Sequence, residues 1–172
     1  MGMPTDNPEQ PNPLRHIEWI ISQSNVTTFV YRPVQPLSTV KRHLIVVPER
    51  AEKEIGFTLW LRKLWQLASS TGAKIVFYAD SATQNSLKEI CERHHIDAEM
   101  EDFPGWEDFL ILSRDIRTDD MIWTILSRRD KPSFHPAMNR IPAYLNRYFA
   151  DNSFILLFPA QGDKPEENRY YV

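Results

Sequence analysis

The sequence predicts an α/β fold in which a mainly parallel sheet carries helices on both faces. Three observations predict it. Short apolar, β-branched runs recur along the chain, as expected of strands buried on both sides. Between them lie stretches whose apolar residues fall at helical spacing. From Arg42 onward the two kinds of segment alternate, the pattern that builds a parallel sheet.

HLIVVP (43–48) is the first buried run. A helix over 55–70 follows, with Phe57, Trp60, Leu61, Leu64, Trp65 and Ala68 on one stripe and Gly72 placed to cap it. AKIVFYA (73–79) is the second strand. Ser81 with Gln84 forms a capping box that opens a helix to Arg93, with Leu87, Ile90 and Cys91 turned inward. AEMEDF (98–103) alternates, which marks a half-exposed strand near a sheet edge. A helix over 106–116 is expected to bury Trp106, Phe109, Leu112 and Ile116, and MIWTILS (121–127) is the fourth strand. Pro136 suits the first turn of a helix that turns Ile141, Tyr144, Leu145, Tyr148 and Phe149 inward; Pro142 kinks that helix or delays its start. SFILLFP (153–159) completes five strands and four helices.

The 172 residues match one domain, and that length buries a core without disulfide or metal support. The net charge of −3, from 20 Lys+Arg and 23 Asp+Glu, gives no basic field for nucleic acid or anionic lipid. Cys91 is the single cysteine, which fits a reducing compartment. No apolar run approaches the roughly 20 residues of a membrane span. Residues 1–13 are polar, carry four prolines and read as a flexible lead-in; residues 162–172 read as a loose tail. Residues 14–33 run helix, asparagine turn, strand, proline, and residues 141–159 do the same, so that Asn25 answers Asn152 and Pro33 answers Pro159. Two readings of 14–41 follow. It is the last helix and strand of a preceding similar module plus a linker, or an extra element of the domain at 42–161.

The chain has five glycines, and none is spaced as a phosphate-binding loop. Cys91 and His95 are four apart, but without a further ligand pair they read as a buried thiol and a helix-end histidine, so no metal is expected. No nucleophile elbow is present, and a cysteine on an apolar helix face is not activated, so no catalytic residue is expected. Glu107 and Asp108 suit the start of a helix. In parallel sheets, ligands bind beyond the carboxyl ends of the strands. Those ends supply the candidate ligand-binding residues Glu49, Arg128, Arg129, Ser133 and His135; of the residues there, the three basic ones (Arg128, Arg129 and Lys131) with Ser133 and His135 suit an anion. The plainer reading is a solvated loop with local ion pairs. The domain thus reads as one that binds or senses.

The five-stranded layout resembles the universal stress protein fold, a three-layer sandwich of the adenine nucleotide alpha hydrolase-like kind. Longer phrases point further: residues 29–48, 54–79, 106–121, 133–149 (SFHPAMNRIPAYLNRYF) and 152–159 (NSFILLFP). They look like the cytoplasmic C-terminal region of bacterial monovalent cation:proton antiporters, particularly those of the Bacteroidetes. The resemblance covers nearly all of 14–160. It implies a membrane half, absent from this chain, that exchanges Na⁺ or K⁺ for H⁺, and a tail of two stress-protein-like modules on the cytoplasmic side of the inner membrane. It favours the truncated-module reading of 14–41 and a regulatory or assembly role without catalysis. The implied partners are the membrane domain of the same parent protein and a second copy paired through the last strand, with no nucleic acid. The sequence departs from nucleotide-binding stress proteins at Pro48-Glu49, where they carry an aspartate, and after the fourth strand, where 127–136 lacks glycine. No cofactor is therefore expected. A free-standing binder of a nucleotide or other small anion is the alternative.

Overall fold

The computed structural model describes residues 19–21 and 23–161. The expectations for 1–13, for 162–172 and for the beginning of the helix in 14–33 lie outside them. Six strands form one sheet: β1 (Thr28–Arg32), β2 (Arg42–Val46), β3 (Lys74–Ala79), β4 (Ala98–Asp102), β5 (Asp120–Ile125) and β6 (Ser153–Phe158), in the order β1-β6-β5-β2-β3-β4. β1 runs antiparallel to β6, and every other neighbouring pair is parallel. The helices are α1 (Phe57–Thr71), α2 (Ser81–Arg93) and α3 (Ile141–Tyr148), with 3-10 turns at Leu37–Thr39, Ala51–Lys53, Phe109–Arg114 and Pro136–Arg140.

Strict alternation along the strands explains the layers. Ile45, Phe77, Trp123 and Leu157 face one side and pack against Trp60, Leu61 and Leu64 of α1 and Leu87 and Cys91 of α2. Leu44, Val76, Ile122 and Leu156 face the other side and meet Phe109, Leu112, Ile141 and Leu145. β4 is an edge strand with its outward side chains exposed, as its alternation predicts.

The sheet has six strands where the sequence led to five, because β1 joins it. Without β1, the apolar β6 would present a row of unpaired backbone groups. Side chains hold β1 there as well as the ladder. The Arg32 guanidinium donates to the carbonyls of Phe149 and Asn152, both at 2.9 Å, and lies 4.3 Å from the centre of the Phe154 ring. Ser153 Oγ accepts from the backbone N–H of Val34 at 2.8 Å, and Val30 packs on the second apolar cluster.

Several local expectations are corrected. Trp65 of α1 is 39% exposed and Tyr148 of α3 50% exposed, because each lies at the flank of its helix's buried stripe. α2 is capped by Asp80, whose Oδ2 accepts from the N–H of Ala82, and not by Ser81. Gln84 is buried and donates to the carbonyls of Ala79 and Glu101 and to Asp102 Oδ1, tying β3 to β4. The helix expected over 106–116 is the 3-10 turn Phe109–Arg114, although Trp106, Phe109 and Leu112 are buried as expected. Pro136 opens a 3-10 turn, and α3 starts only at Ile141 with Pro142 in its first turn, so this proline delays the helix. Gly72 ends α1 in the left-handed region at φ 69°. Gly56 sits before α1 because the chain passes too close for a side chain: a Cβ there would lie 2.6 Å from the amide nitrogen of Ala160.

Candidate functional site

β5 and β6 run parallel, so their carboxyl ends open on the same side of the sheet. Beyond β5 the chain leaves through Ser127–Arg128–Arg129–Asp130–Lys131, and beyond β6 through Pro159–Ala160–Gln161. The segment before β1 closes over this end. Arg128 donates through one guanidinium nitrogen to the carbonyl of Ile21 and through the other to that of Val26 at 3.3 Å. Gln161 N–H donates to the carbonyl of Asn25 at 2.8 Å, and Ala160 N–H to Thr27 Oγ1 at 3.1 Å.

These contacts border a half-open cavity of about 880 Å³. Its sheet side is Leu126, Leu156 and Phe158; its opposite side is Phe134, Met138, Pro142 and Ala143; Trp19 and Ile21 line it from the N-terminal segment. Polar groups come from Arg128, Arg129, Asp130, Lys131, Asn25, Asn139, Gln161 and Ser127. The size, and a lining that is apolar over somewhat more than half of its surface, are within the range of a small-molecule site. Burial lowers the Arg128 pKa from its ordinary value, with Asp130 and Glu54 acting in the opposite sense. Arg128 Nε is buried and has no hydrogen-bond partner among the described residues.

Of the five residues expected from sequence, Arg128 and Arg129 line this cavity, and the other three do not. Ser133 is buried and donates its hydroxyl to Glu54 Oε1. His135 caps the Pro136–Arg140 turn, its Nδ1 accepting from Ala137 N–H at 3.1 Å. Glu49 is exposed in the turn after β2. Sequence reasoning missed Glu54, which is 8% exposed and organises this end of the sheet. Its Oε1 accepts from Ser127 Oγ at 2.9 Å as well as from Ser133, and its Oε2 lies 3.5 Å from Gln161 Nε2. Nothing in its local pattern marks it, since those serines are 73 and 79 residues away.

A smaller hollow of about 390 Å³ lies at the end of α2, lined by Cys91, His95 and Met100 among others. Burial raises the Cys91 thiol pKa, which keeps the sulfur protonated and unreactive. Among the described residues, no group of three or more His, Cys, Asp or Glu side chains is placed to hold a metal ion, and no helix is long and apolar enough to cross a membrane.

Chemically, the main cavity has the make-up of a binding site. Its apolar walls take up apolar surface, its cationic loop offers charge to an anion, and the hydroxyls of Ser127 and Ser133 are committed to Glu54. Comparison with protein-family models, with curated proteins and with solved structures finds no match.

Proposed function

We propose that this chain is a regulatory or assembly domain of the universal-stress-protein-like kind, attached to a monovalent cation:proton antiporter whose membrane part carries transport. The resemblance of residues 14–160 to the tails of such antiporters supports it. The structural observation that carries it is the seating of the N-terminal segment. β1 is hydrogen-bonded along β6, while Arg32 and Arg128 fasten the chain on either side of it. A change at the carboxyl end of the sheet is thereby felt by the segment that leads towards whatever precedes the domain. The domain itself performs no catalysis in this reading. Reading the coding region upstream of Met1 tests it. An open frame with a series of apolar segments of about 20 residues each is expected. An in-frame stop with no such segments before it removes the proposal.

The second reading, a free-standing binder of a nucleotide or other small anion, is favoured by the cavity beside Arg128, Arg129 and Lys131. Titration calorimetry with ATP, AMP and cyclic dinucleotides checks it, and absence of heat with all of them at millimolar concentration would remove it.

A further inference from the structure

We propose that the cavity at the carboxyl ends of β5 and β6 binds an amphipathic anion, a carboxylate or phosphate monoester on an apolar body, and that Arg128 couples its occupancy to the N-terminal segment. The inference deepens the binding reading of this site and is independent of what lies upstream of the chain.

Four observations carry it. The volume, about 880 Å³, is that of a drug-sized ligand site. The polar groups are gathered on one side: Arg128 reaches Val26, Gln161 N–H meets Asn25, and Gln161 and Ser127 share Glu54. The rest of the lining, apart from Arg129, Asp130, Lys131 and Asn139, is aliphatic or aromatic. A ligand with one charged end and an apolar body matches that division. The charge balance sets the scale of the head: three cations, Arg128, Arg129 and Lys131, line the cavity with the carboxylate of Asp130, and the adjacent Glu54 carboxylate also acts on Arg128. That suits one or two negative charges better than a triphosphate, and no glycine lines the cavity to let backbone approach a phosphate chain.

Arg128 supplies the coupling. It lines the cavity while its guanidinium holds the carbonyls of Ile21 and Val26, and its buried Nε–H is unpaired among the described residues. An anionic oxygen in the cavity competes with those carbonyls for the guanidinium charge. Occupancy therefore loosens the segment before β1.

The test uses the full chain with decanoate, decyl phosphate, decanol, inorganic phosphate and ATP, followed by tryptophan fluorescence, since Trp19 lines the cavity. Decanoate and decyl phosphate are expected to saturate, decanol to bind at least tenfold more weakly, and inorganic phosphate and ATP to leave the signal unchanged at the same concentrations. Ala143→Trp adds a large side chain at an exposed position of α3 that lines the cavity, and is expected to abolish binding without unfolding the chain. Arg129→Gln is expected to weaken the two anions and not decanol. Binding of either anion should speed amide exchange at Val26 and Thr27, a readout that mere adsorption to the surface would not move. Three results overturn the proposal: no saturation by either anion at millimolar concentration, equal affinity for decanol, or undiminished binding by a folded Ala143→Trp chain. Binding without faster exchange overturns the coupling through Arg128. Saturation by ATP alone assigns the site to nucleotides instead.

Discussion

His43 shows how far one buried residue sets conditions on the fold. It is 0% exposed at the head of β2, and the indole N–H of Trp123 donates to its Nδ1 at 3.1 Å. That bond places the imidazole proton on Nε2, which is buried without a partner among the described residues. Burial pushes the pKa of His43 from 6.5 to about 4. Between these values the unfolded chain binds a proton that the folded chain refuses, so stability falls as the pH falls through this window. The loss between pH 7 and pH 5 should be about 2 kcal/mol, read from urea unfolding at the two pH values. His43→Gln should lack this component, and an equal loss in both proteins would remove the assignment. Thr124 is a second residue of this kind: it is 0% exposed on β5, and its hydroxyl has no partner among the described residues. Replacing it by the near-isosteric valine should stabilise the fold by about 1 kcal/mol, visible as a raised urea midpoint with unchanged slope.

At the scale of elements, β1 and the turn into α1 carry the most consequence. β1 turns Val30 into the second apolar cluster and leaves Phe29 and Tyr31 about two-fifths exposed on its other side, at 41% and 42%. Deleting residues 1–33 should therefore uncover the edge of β6 and the Phe154 ring. The shortened chain is expected to melt at lower temperature and to self-associate on size-exclusion chromatography. A truncated monomer with an unchanged midpoint would show that β1 is a passenger. The turn before α1 is set by contact rather than by backbone conformation. Gly56 has an ordinary negative φ, yet a methyl group there meets backbone at 2.6 Å. Gly56→Ala should cost about 1–3 kcal/mol despite the better helix propensity of alanine, and a stabilised variant would contradict the close packing. The helices illustrate what periodicity resolves. It found α1 and α2 to within two or three residues, but it read a 3-10 turn as a helix at 109–114, since an apolar stripe of six residues fits either winding.

At the scale of the molecule, Glu54 joins what the chain order keeps apart. Its carboxylate bridges the approach to α1, the exits from β5 and β6, and the loop holding Ser133. Glu54→Ala leaves the buried Ser133 hydroxyl without an acceptor and Ser127 Oγ with only the Arg128 carbonyl at 3.3 Å, and should destabilise the protein by about 1–3 kcal/mol. It should also weaken whatever ligand the cavity holds, because Ser127 and Gln161 line that cavity; thermal melts with and without decanoate measure both effects. The sequence by itself determined the alternation of strands and helices, the buried stripe of each long helix, the exposed edge at β4 and the basic loop at 128–131. These are local: each depends on side chains spaced two or nearly four residues apart, which hydrophobic burial reads directly. Only the tertiary structure decided that Thr28–Arg32 lies antiparallel along β6, that Ser133 and His135 turn away from the cavity while Trp19 and Gln161 turn towards it, and that Glu54 ties the site together. His135 is turned by a local cap on Ala137, but the seating of β1 and the Glu54 contacts rest on hydrogen bonds across 70 residues or more of chain, and no periodicity in the sequence encodes which distant donor will find a buried acceptor.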